Sequence, residues 1–450
     1  MSVTLNFTAL TTDGKGISRL PDGKVVFVER VLPQETAVVN LQKSKKNHCE
    51  GTLVAIETPH SMRRPAPCPV FEKCGGCQLQ IVPEMNQTEF KVQWLHETLR
   101  RLGRWPQEQL DIAQQKLDIV RPKVINYRQR IRLHFDGKTL GYFQTKSHQI
   151  VTAKHCILPV EKITDILSTL ESSLIQHAAQ AQLSVEITCT KNQKISMEFF
   201  SDTHKNSLKQ IRNKVTEEIS KKFEIETSDL FQIAHPQIEH FQIHKHSFVQ
   251  PHVDAHSIYV PIISNEISLY FSRLITQSPH KSPQLSRPIF TWDLYSGSGT
   301  FSNLVQNIAA QKSIPCVSIA VEGVGPATKA AALNHKNSHL KVVESDVLEF
   351  LNQFEEKQIQ ESDRPQIVIA DPPRTGLGQL PTLQLCNLMS AQNALICYVA
   401  CDAASLARDG AVIIQQGFRL KSITLIDAFA QTVHYETIAF FERLPARELP

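Results

Sequence analysis

From about residue 288 onward the chain repeats one device: a short, unbroken apolar run that stops at a glycine, an acid or a cysteine, followed by a helix-like stretch. The runs are "IFTWDLYSGSGTF" from Ile289, "CVSIAVEGV" from Cys316, "QIVIADPP" from Gln366 and "ALICYVACD" from Ala394. Apolar residues without alternation suit strands covered on both faces, and strands interleaved with helices suit a parallel sheet. This part of the chain is therefore expected to be a doubly wound, Rossmann-like α/β domain, with its ligand site at the carboxyl ends of the strands. The stretch near 270 to 288, rich in Ser and Pro, reads as an exposed loop before it.

At 450 residues the chain is long for one domain, and three parts are expected: 1–57, 58–247 and 248–450. The first part alternates apolar and polar residues in short runs ("LNFTAL", "KVVFVERV", "TAVVNLQ", "GTLVAIE") separated by tight-turn signals. That pattern predicts a small OB-like β-barrel of the kind that binds oligonucleotides, and a basic turn at Lys43, Lys45 and Lys46 points to RNA. The middle part reads as a mixed α+β region with a helix from about Glu84 to Leu102. No basic leader or run of about 18 apolar residues appears, so a soluble cytoplasmic protein without a membrane partner is expected. Nothing calls for a second protein chain, and a monomer is expected.

The net charge of +4 conceals an uneven distribution. Between Arg63 and Lys154 sixteen Lys or Arg face eight Asp or Glu, an excess suited to a polyanion. Within it, "NYRQRIRLHF" sets Arg128, Arg130 and Arg132 on alternate positions of an expected strand, so three arginines on one exposed face are expected to meet phosphates.

The chemistry-bearing residues fall at the predicted strand ends. In "DLYSGSGTF" the strand stops at Asp293 and passes through Tyr295 into Gly297 and Gly299, whose missing side chains let a ligand approach the backbone. Glu322 ends the next strand, where an acid can bind both hydroxyls of a ribose, and Asp346 ends the one after, where it can accept from an adenine amino group. This set suits S-adenosylmethionine. A nicotinamide cofactor would prefer a third glycine where Ser302 stands. "IADPPRTG" sets Asp371 in a loop stiffened by two prolines, suited to a flat nucleobase.

Cys401 follows the strand "ALICYV", and Glu436 opens the strand "ETIAFF", where burial would raise its pKa towards neutrality. A thiol, a base and a methyl donor together suit methylation at carbon 5 of a pyrimidine. Cys401 would add to carbon 6 and Glu436 would remove the carbon 5 proton. Cys68, Cys74 and Cys77, spaced C-x5-C-x2-C, with Cys156 downstream, can hold zinc or an iron–sulfur cluster. Zinc ribbons usually pair two C-x2-C knuckles and one is present here, which favours iron–sulfur. A redox dithiol at "CGGC" lacks the strand before and helix after that such a motif needs.

These residues resemble the S-adenosylmethionine-dependent RNA (uracil-5-)-methyltransferases, in particular those with an amino-terminal TRAM domain and a four-cysteine [4Fe-4S] site that modify 23S ribosomal RNA. The motifs are "FVQ" at 248–250, "DLYSGSGTF", "VEGV", "DPPRTG", "ACDAASLARD" and "QTVHYE" together with the four cysteines. The resemblance implies 5-methyluridine formation, with Cys401 as nucleophile, Glu436 as base, and Gln250, Gly297, Glu322 and Asp371 around cofactor and target base. It also implies that a long helix near 88–118 packs back on the catalytic domain. Transfer RNA is the alternative substrate, and a non-catalytic RNA-binding protein on the same fold the alternative class. The chain departs from the family at Ala400-Cys401-Asp402-Ala403, where Ser-Cys-Asn-Pro is usual, at His252, and at Ala430, where a proline usually precedes the glutamine.

Overall fold

The computed structural model describes residues 2–44, 47–202, 205–276, 288–336, 338, 340–356, 360, 364–390 and 393–443. Lys45 and Lys46 of the basic turn and residues 277–287 of the Ser/Pro stretch lie outside the described residues. Residues 270–276, expected as loop, instead finish a helix, because Tyr270, Phe271 and Leu274 are buried against the sheet.

The amino-terminal alternation builds β1 (Ser2–Asn6), β2 (Ala9–Leu10), β3 (Lys15–Arg19), β4 (Val25–Glu29), β5 (Thr36–Ser44) and β6 (His48–Thr58), ordered β1-β5-β6-β4-β3-β2. β1 at one edge runs through Phe7 into β2 at the other, and Thr8 N–H bonds to the Ile17 carbonyl (2.9 Å), so the sheet curls into a small barrel. Leu5, Phe7, Val26, Val28 and Val39 fill its interior.

The helix expected near 88–118 is two helices and a strand: α1 (Glu84–Arg101), α2 (Gln107–Gln115) and β7 (Leu117–Val120). Pro106 lacks the N–H that a continuing helix would need and sits where a new one begins. Between them Trp105 is buried, its Nε1–H donating to the Ala407 carbonyl at 2.9 Å. Its ring lies so close over Gly410 that a Cβ there would clash.

The middle of the chain forms an antiparallel sheet, β10-β9-β8-β11-β12, from β8 (Arg130–Phe135), β9 (Leu140–Phe143), β10 (Ile150–Thr152), β11 (Leu183–Cys189) and β12 (Ile195–Phe200). α3 (Glu161–Ala178) and α4 (Lys205–Ser220) share one core with it, and Ile131, Leu133 and Phe135 point into that core. The opposite face of β8 carries Arg132, exposed, its guanidinium 4.3 Å from the Phe200 ring centre. The expectation of three exposed arginines holds for Arg132 alone; Arg128 and Arg130 line one groove with it but are half-buried. Arg130 spends its fork on the carbonyls of Ser247 (2.6 Å) and Lys245 (2.9 Å) and on the Thr188 hydroxyl (2.8 Å), because that loop has no strand partner for those groups. Arg128 turns inward among the cysteines, with its Nε buried and unpartnered.

A hairpin, β13 (Leu230–Gln232) and β14 (Gln242–His244), leads to α5 (Ala255–Thr276) and the doubly wound part. This comprises β15 (Ile289–Leu294), α6 (Leu304–Gln311), β16 (Cys316–Glu322), α7 (Gly325–Asn334), β17 (Leu340–Glu344), α8 (Val347–Glu356), β18 (Ile367–Ala370), α9 (Gln379–Leu388), β19 (Ala394–Ala400), α10 (Ala403–Gln415), β20 (Arg419–Ile426) and β21 (Glu436–Arg443). Among the described residues the sheet has eight strands, β17-β16-β15-β18-β19-β21-β20-β7. β15 to β19 pair in parallel, β21 runs antiparallel between β19 and β20, and β7 closes the edge parallel to β20. Every residue of β18 and β19 is buried, as the unbroken apolar runs require. The strand order reverses between β15 and β18, and a crevice forms there at the strand ends.

Candidate active site

The loop after β15 is shaped from behind by side chains. Asn334 Nδ2–H donates to the Ser298 carbonyl (2.8 Å), His335 Nε2 meets the Gly299 carbonyl (2.8 Å) and His235 Nε2 meets the Thr300 carbonyl (3.1 Å). Burial lowers the pKa of both histidines, that of His235 to about 4, so both are neutral donors. The two glycines have different reasons to exist. Gly297 (φ +56°) has open space where a side chain would stand, whereas a Cβ on Gly299 (φ +84°) would come within 2.5 Å of His335 Nε2. Gly299 therefore answers to His335, and Gly297 alone leaves room for a ligand. Three consecutive carbonyls held by side chains up to 65 residues away in the chain carry no local sequence signal.

Around this loop Glu322 accepts from the N–H groups of Gly297 (2.9 Å) and Val324 (2.7 Å), presenting its carboxylate at the crevice. Asp346 stands two residues beyond β17 and caps α8, one oxygen accepting from Leu348 N–H at 2.8 Å. The half-buried ring of Tyr295 lies near enough for both acids to act on its hydroxyl. Asp293 is buried and its Oδ2 accepts from the Ser302 hydroxyl at 2.5 Å, so the residue at the third-glycine position of a nicotinamide site serves the acid instead. Asp293 Oδ1 is buried with no partner, and burial pushes the carboxyl up to about 7. An orphaned acceptor beside an open glycine fits a ligand that brings an ammonium or another donor, as S-adenosylmethionine does.

Across the crevice, Cys401 follows β19, Asp371 follows β18 and Glu436 opens β21. They converge: Glu436 and Asp371 both raise the Cys401 pKa electrostatically, Asp371 raises that of Glu436, and buried Tyr259 on α5 feels all three. Burial is the larger cause in each case, pushing the Cys401 thiol up to about 12, Asp371 up to about 7 and Glu436 well above the usual carboxylate range. Arg374, exposed in the proline loop, opposes these shifts at Cys401 and Glu436. Gln250 reaches Asp371 Oδ2 at 3.5 Å, its own carbonyl held by Gln129 (2.8 Å). His252 stacks on Tyr127 with ring centres 5.0 Å apart and is buried away from the crevice.

The unusual neighbour of Cys401 has a local role. Asp402 is the N-cap of α10, accepting from Ala404 N–H (2.7 Å) and Ser405 N–H (3.2 Å), which fixes the turn that a proline would otherwise stiffen. The proline loop is anchored from the same helix. Buried Asp409 accepts from Leu377 N–H (2.8 Å) and Tyr398 Oη–H (2.6 Å), and Gly376 (φ +73°) lets the chain pass against its carboxylate. Cys401 and Asp371 thus ride on one rigid unit.

Cys68, Cys74, Cys77 and Cys156 are unbonded to one another and gather around the half-buried Arg128 and Tyr142. Burial raises the thiols of Cys74 and Cys156, and that of Cys77 to about 12, and each of these three also feels other cysteines of the set. Among the described residues no group of three or more His, Cys, Asp or Glu is arranged to hold a metal ion.

Residues 2–54 match the TRAM domain. Over nearly its full length the chain is similar to proteins named 23S rRNA (uracil(1939)-C(5))-methyltransferase RlmD. That of Shewanella halifaxensis is 29% identical over 98% of this chain and 95% of the relative, and that of Neisseria lactamica is 24% identical over 97% and 95%. An RNA methyltransferase of Clostridium tetani is 26% identical over 96% of this chain and 95% of its own. Among solved structures, the Pyrococcus abyssi tRNA (uracil-54, C5)-methyltransferase in complex with S-adenosyl-L-homocysteine has a TM-score of 0.62 at 17% identity, covering 98% of this chain and 100% of the other. That likeness concerns the fold.

Proposed function

We infer that this chain is an S-adenosylmethionine-dependent RNA (uracil-5-)-methyltransferase that forms 5-methyluridine in 23S ribosomal RNA. The observation that carries the reading is the meeting of Cys401, Glu436 and Asp371 at one crevice, opposite the open Gly297 and the unpartnered oxygen of Asp293.

S-adenosylmethionine, when bound, supplies an electrophilic methyl group. Asp293, Gly297 and Glu322 would hold it, Tyr295 and Asp346 would face its adenosine, and Gly299 keeps the loop in shape. The target uridine leaves its stack and enters the crevice beside Gln250 and Asp371. Cys401 Sγ, its proton released to solvent, forms a bond to carbon 6 and drives electrons through carbon 5 onto the carbonyl. Carbon 5 then takes the methyl group as the bond from that methyl to the donor's sulfonium sulfur breaks, and S-adenosylhomocysteine leaves. Glu436 removes the carbon 5 proton, the S–C6 bond breaks, and Cys401 leaves as it entered. Burial raises the Glu436 pKa, which makes its carboxylate a stronger base than an exposed one. Burial, with the Glu436 and Asp371 carboxylates beside it, keeps Cys401 a thiol in the free enzyme.

The barrel, the middle region and the doubly wound region act as RNA-binding, cysteine-bearing and catalytic parts. A groove lined by Arg132, Phe200, Phe248 and Val249 adjoins Gln250 and suits the RNA around the target. Cys68, Cys74, Cys77 and Cys156 would hold a [4Fe-4S] cluster, beside which the Arg128 guanidinium would offset negative charge. Iron and sulfide analysis of anaerobically purified protein tests this, and one zinc per chain without iron overturns it. No helix among the described residues is long and apolar enough to cross a membrane. A cytoplasmic monomer is the form in which we expect the enzyme to work.

Methyl transfer from labelled S-adenosylmethionine to unmodified 23S rRNA and tRNA, side by side with Cys401→Ala, is the test. Label at carbon 5 of a ribosomal uridine, lost in the variant, is expected, and the position matching uracil 1939 is the first to map. Label in tRNA alone moves the substrate; label in neither refutes the reading.

A further inference from the structure

The segment that delivers Glu436 leaves the sheet after Asp427, whose N–H donates to the Val120 carbonyl of β7 (2.9 Å), and rejoins it at Glu436, which pairs with Ile426. Between the end of β20 and the start of β21 its polar groups find partners in residues 78–127. Asp427 pairs with buried Lys91 (2.5 Å) and accepts from Thr88 (2.7 Å), Lys91 also donates to the Phe429 carbonyl (3.2 Å), and Tyr127 Oη–H donates to the Ala430 carbonyl (3.0 Å). Gln431 is the centre of this set. Its N–H donates to Gln87 Oε1 (2.7 Å), its carbonyl accepts from the N–H groups of Gln78 (3.1 Å) and Leu79 (3.0 Å), its Oε1 accepts from Gln87 Nε2 (3.0 Å), and its Nε2 donates to Glu84 (2.8 Å).

Every polar group of this fully buried side chain and backbone unit is taken, at a φ of +72° that a non-glycine residue adopts only when its surroundings insist. Gln78 follows Cys77 directly and reaches back with Oε1 to the Val433 N–H (3.4 Å). Five residues after Gln431 comes Glu436, and two after Val433 comes Tyr435, whose chain enters β21.

We propose that Gln431 is a positioning residue for the catalytic base: it locks the segment leading into Glu436 onto the residues that follow Cys77, so the cysteine-bearing region sets where the base stands. The proposal rests on the methyltransferase reading above. It separates the steps of the reaction, because Cys401 rides on the β19–α10 turn, to which none of these hydrogen bonds runs. Loosening Gln431 leaves thiol addition and methyl transfer in place and slows removal of the carbon 5 proton. A displacement of about 1 Å at a reacting group costs up to roughly a hundredfold.

The experiment compares wild type with Gln431→Ala, Gln431→Gly and Gln78→Ala in steady-state methylation of a 23S rRNA transcript and in the amount of covalent protein–RNA adduct on denaturing gels. Gln431→Gly relieves the positive φ, so it stays folded if the alanine variant does not, and Gln78→Ala acts from the other side of the clamp. The expected result is a kcat reduced about 10- to 100-fold, KM for RNA and S-adenosylmethionine within about twofold, and a larger adduct fraction, with faster hydrogen exchange at Val433 to Glu436. An unchanged kcat and adduct fraction in folded variants overturns the proposal. So does a raised KM for RNA without adduct, which would assign Gln431 to RNA binding. A wild type that methylates neither rRNA nor tRNA refutes the functional reading instead, and is told apart by that control.

Discussion

Replacing Asp293 with Asn should make the free protein more stable and the liganded protein less so. In the folded chain the Asp293 carboxyl titrates at about 7, against 3.8 when exposed, because burial penalises its charge and Oδ1 has no donor to offset it. A group whose folded pKa is raised favours the fold below its unfolded pKa, and that contribution is lost as pH rises towards the folded one. About three pH units at ~1.4 kcal/mol each give an upper bound near 4 kcal/mol at pH 8. Water reaching the open crevice and local relaxation lower this, and we expect about 2 kcal/mol. Urea unfolding at pH 8, 6 and 4 measures it: the variant should exceed wild type most at pH 8 and match it by about pH 4. Titration with S-adenosylhomocysteine at pH 8 should show the opposite, about a 10- to 100-fold weaker affinity, since a charged acceptor is lost where the ligand brings its ammonium. A variant less stable than wild type at pH 8, or a gap independent of pH, refutes the account of a buried unpaired carboxylate. Unchanged affinity refutes its role towards the ligand.

Cys401 in the ligand-free enzyme should alkylate with iodoacetamide at pH 9 at least a hundredfold more slowly than an ordinary thiol, since a pKa of about 12 leaves about one part in a thousand ionised, and peptide mapping by mass spectrometry follows it. His335→Ala should weaken S-adenosylhomocysteine binding by about tenfold, with His335→Gln restoring part of it through an amide donor to the Gly299 carbonyl; calorimetry decides, and full affinity in the alanine variant would remove His335 from the account. Trp105→Ala should cost about 3–5 kcal/mol in urea unfolding, because it empties a buried site under Gly410 and breaks the bond to Ala407. Asp402→Ala should cost about 1 kcal/mol by losing the N-cap of α10, whereas Asp402→Asn should be nearly neutral.

The doubly wound region was legible because strands buried on both faces must be apolar throughout, and "IVIA" and "ALICYVA" have no other use for that pattern. The strand ends followed from it: Asp371, Cys401 and Glu436 each stand within one residue of where the apolar run begins or stops. What stayed hidden is what depends on pairs far apart in the chain. Arg130 looks like its neighbour Arg132 on paper, yet carbonyls over a hundred residues away consume its guanidinium. Gly297 and Gly299 look equivalent until His335 is placed behind one of them. The long helix failed at Pro106, a signal that was readable, and the strand after it was hidden because Leu117–Val120 is half exposed and finds its partner only at Ile423–Ile426.

That last pairing has a consequence for synthesis. β7 leaves the ribosome about three hundred residues before the strand it pairs with, α1 and Trp105 wait equally long for α10, and α2 waits for β20. Until the final stretch of chain appears, the earlier apolar faces have nothing of their own to cover, and the early product is a candidate for chaperone capture. The finished catalytic region depends in turn on what was made first: expressed alone from residue 248, it would present β20 as a bare strand edge and α10 with an empty socket. Truncation from the front should therefore yield aggregates before it yields a smaller enzyme.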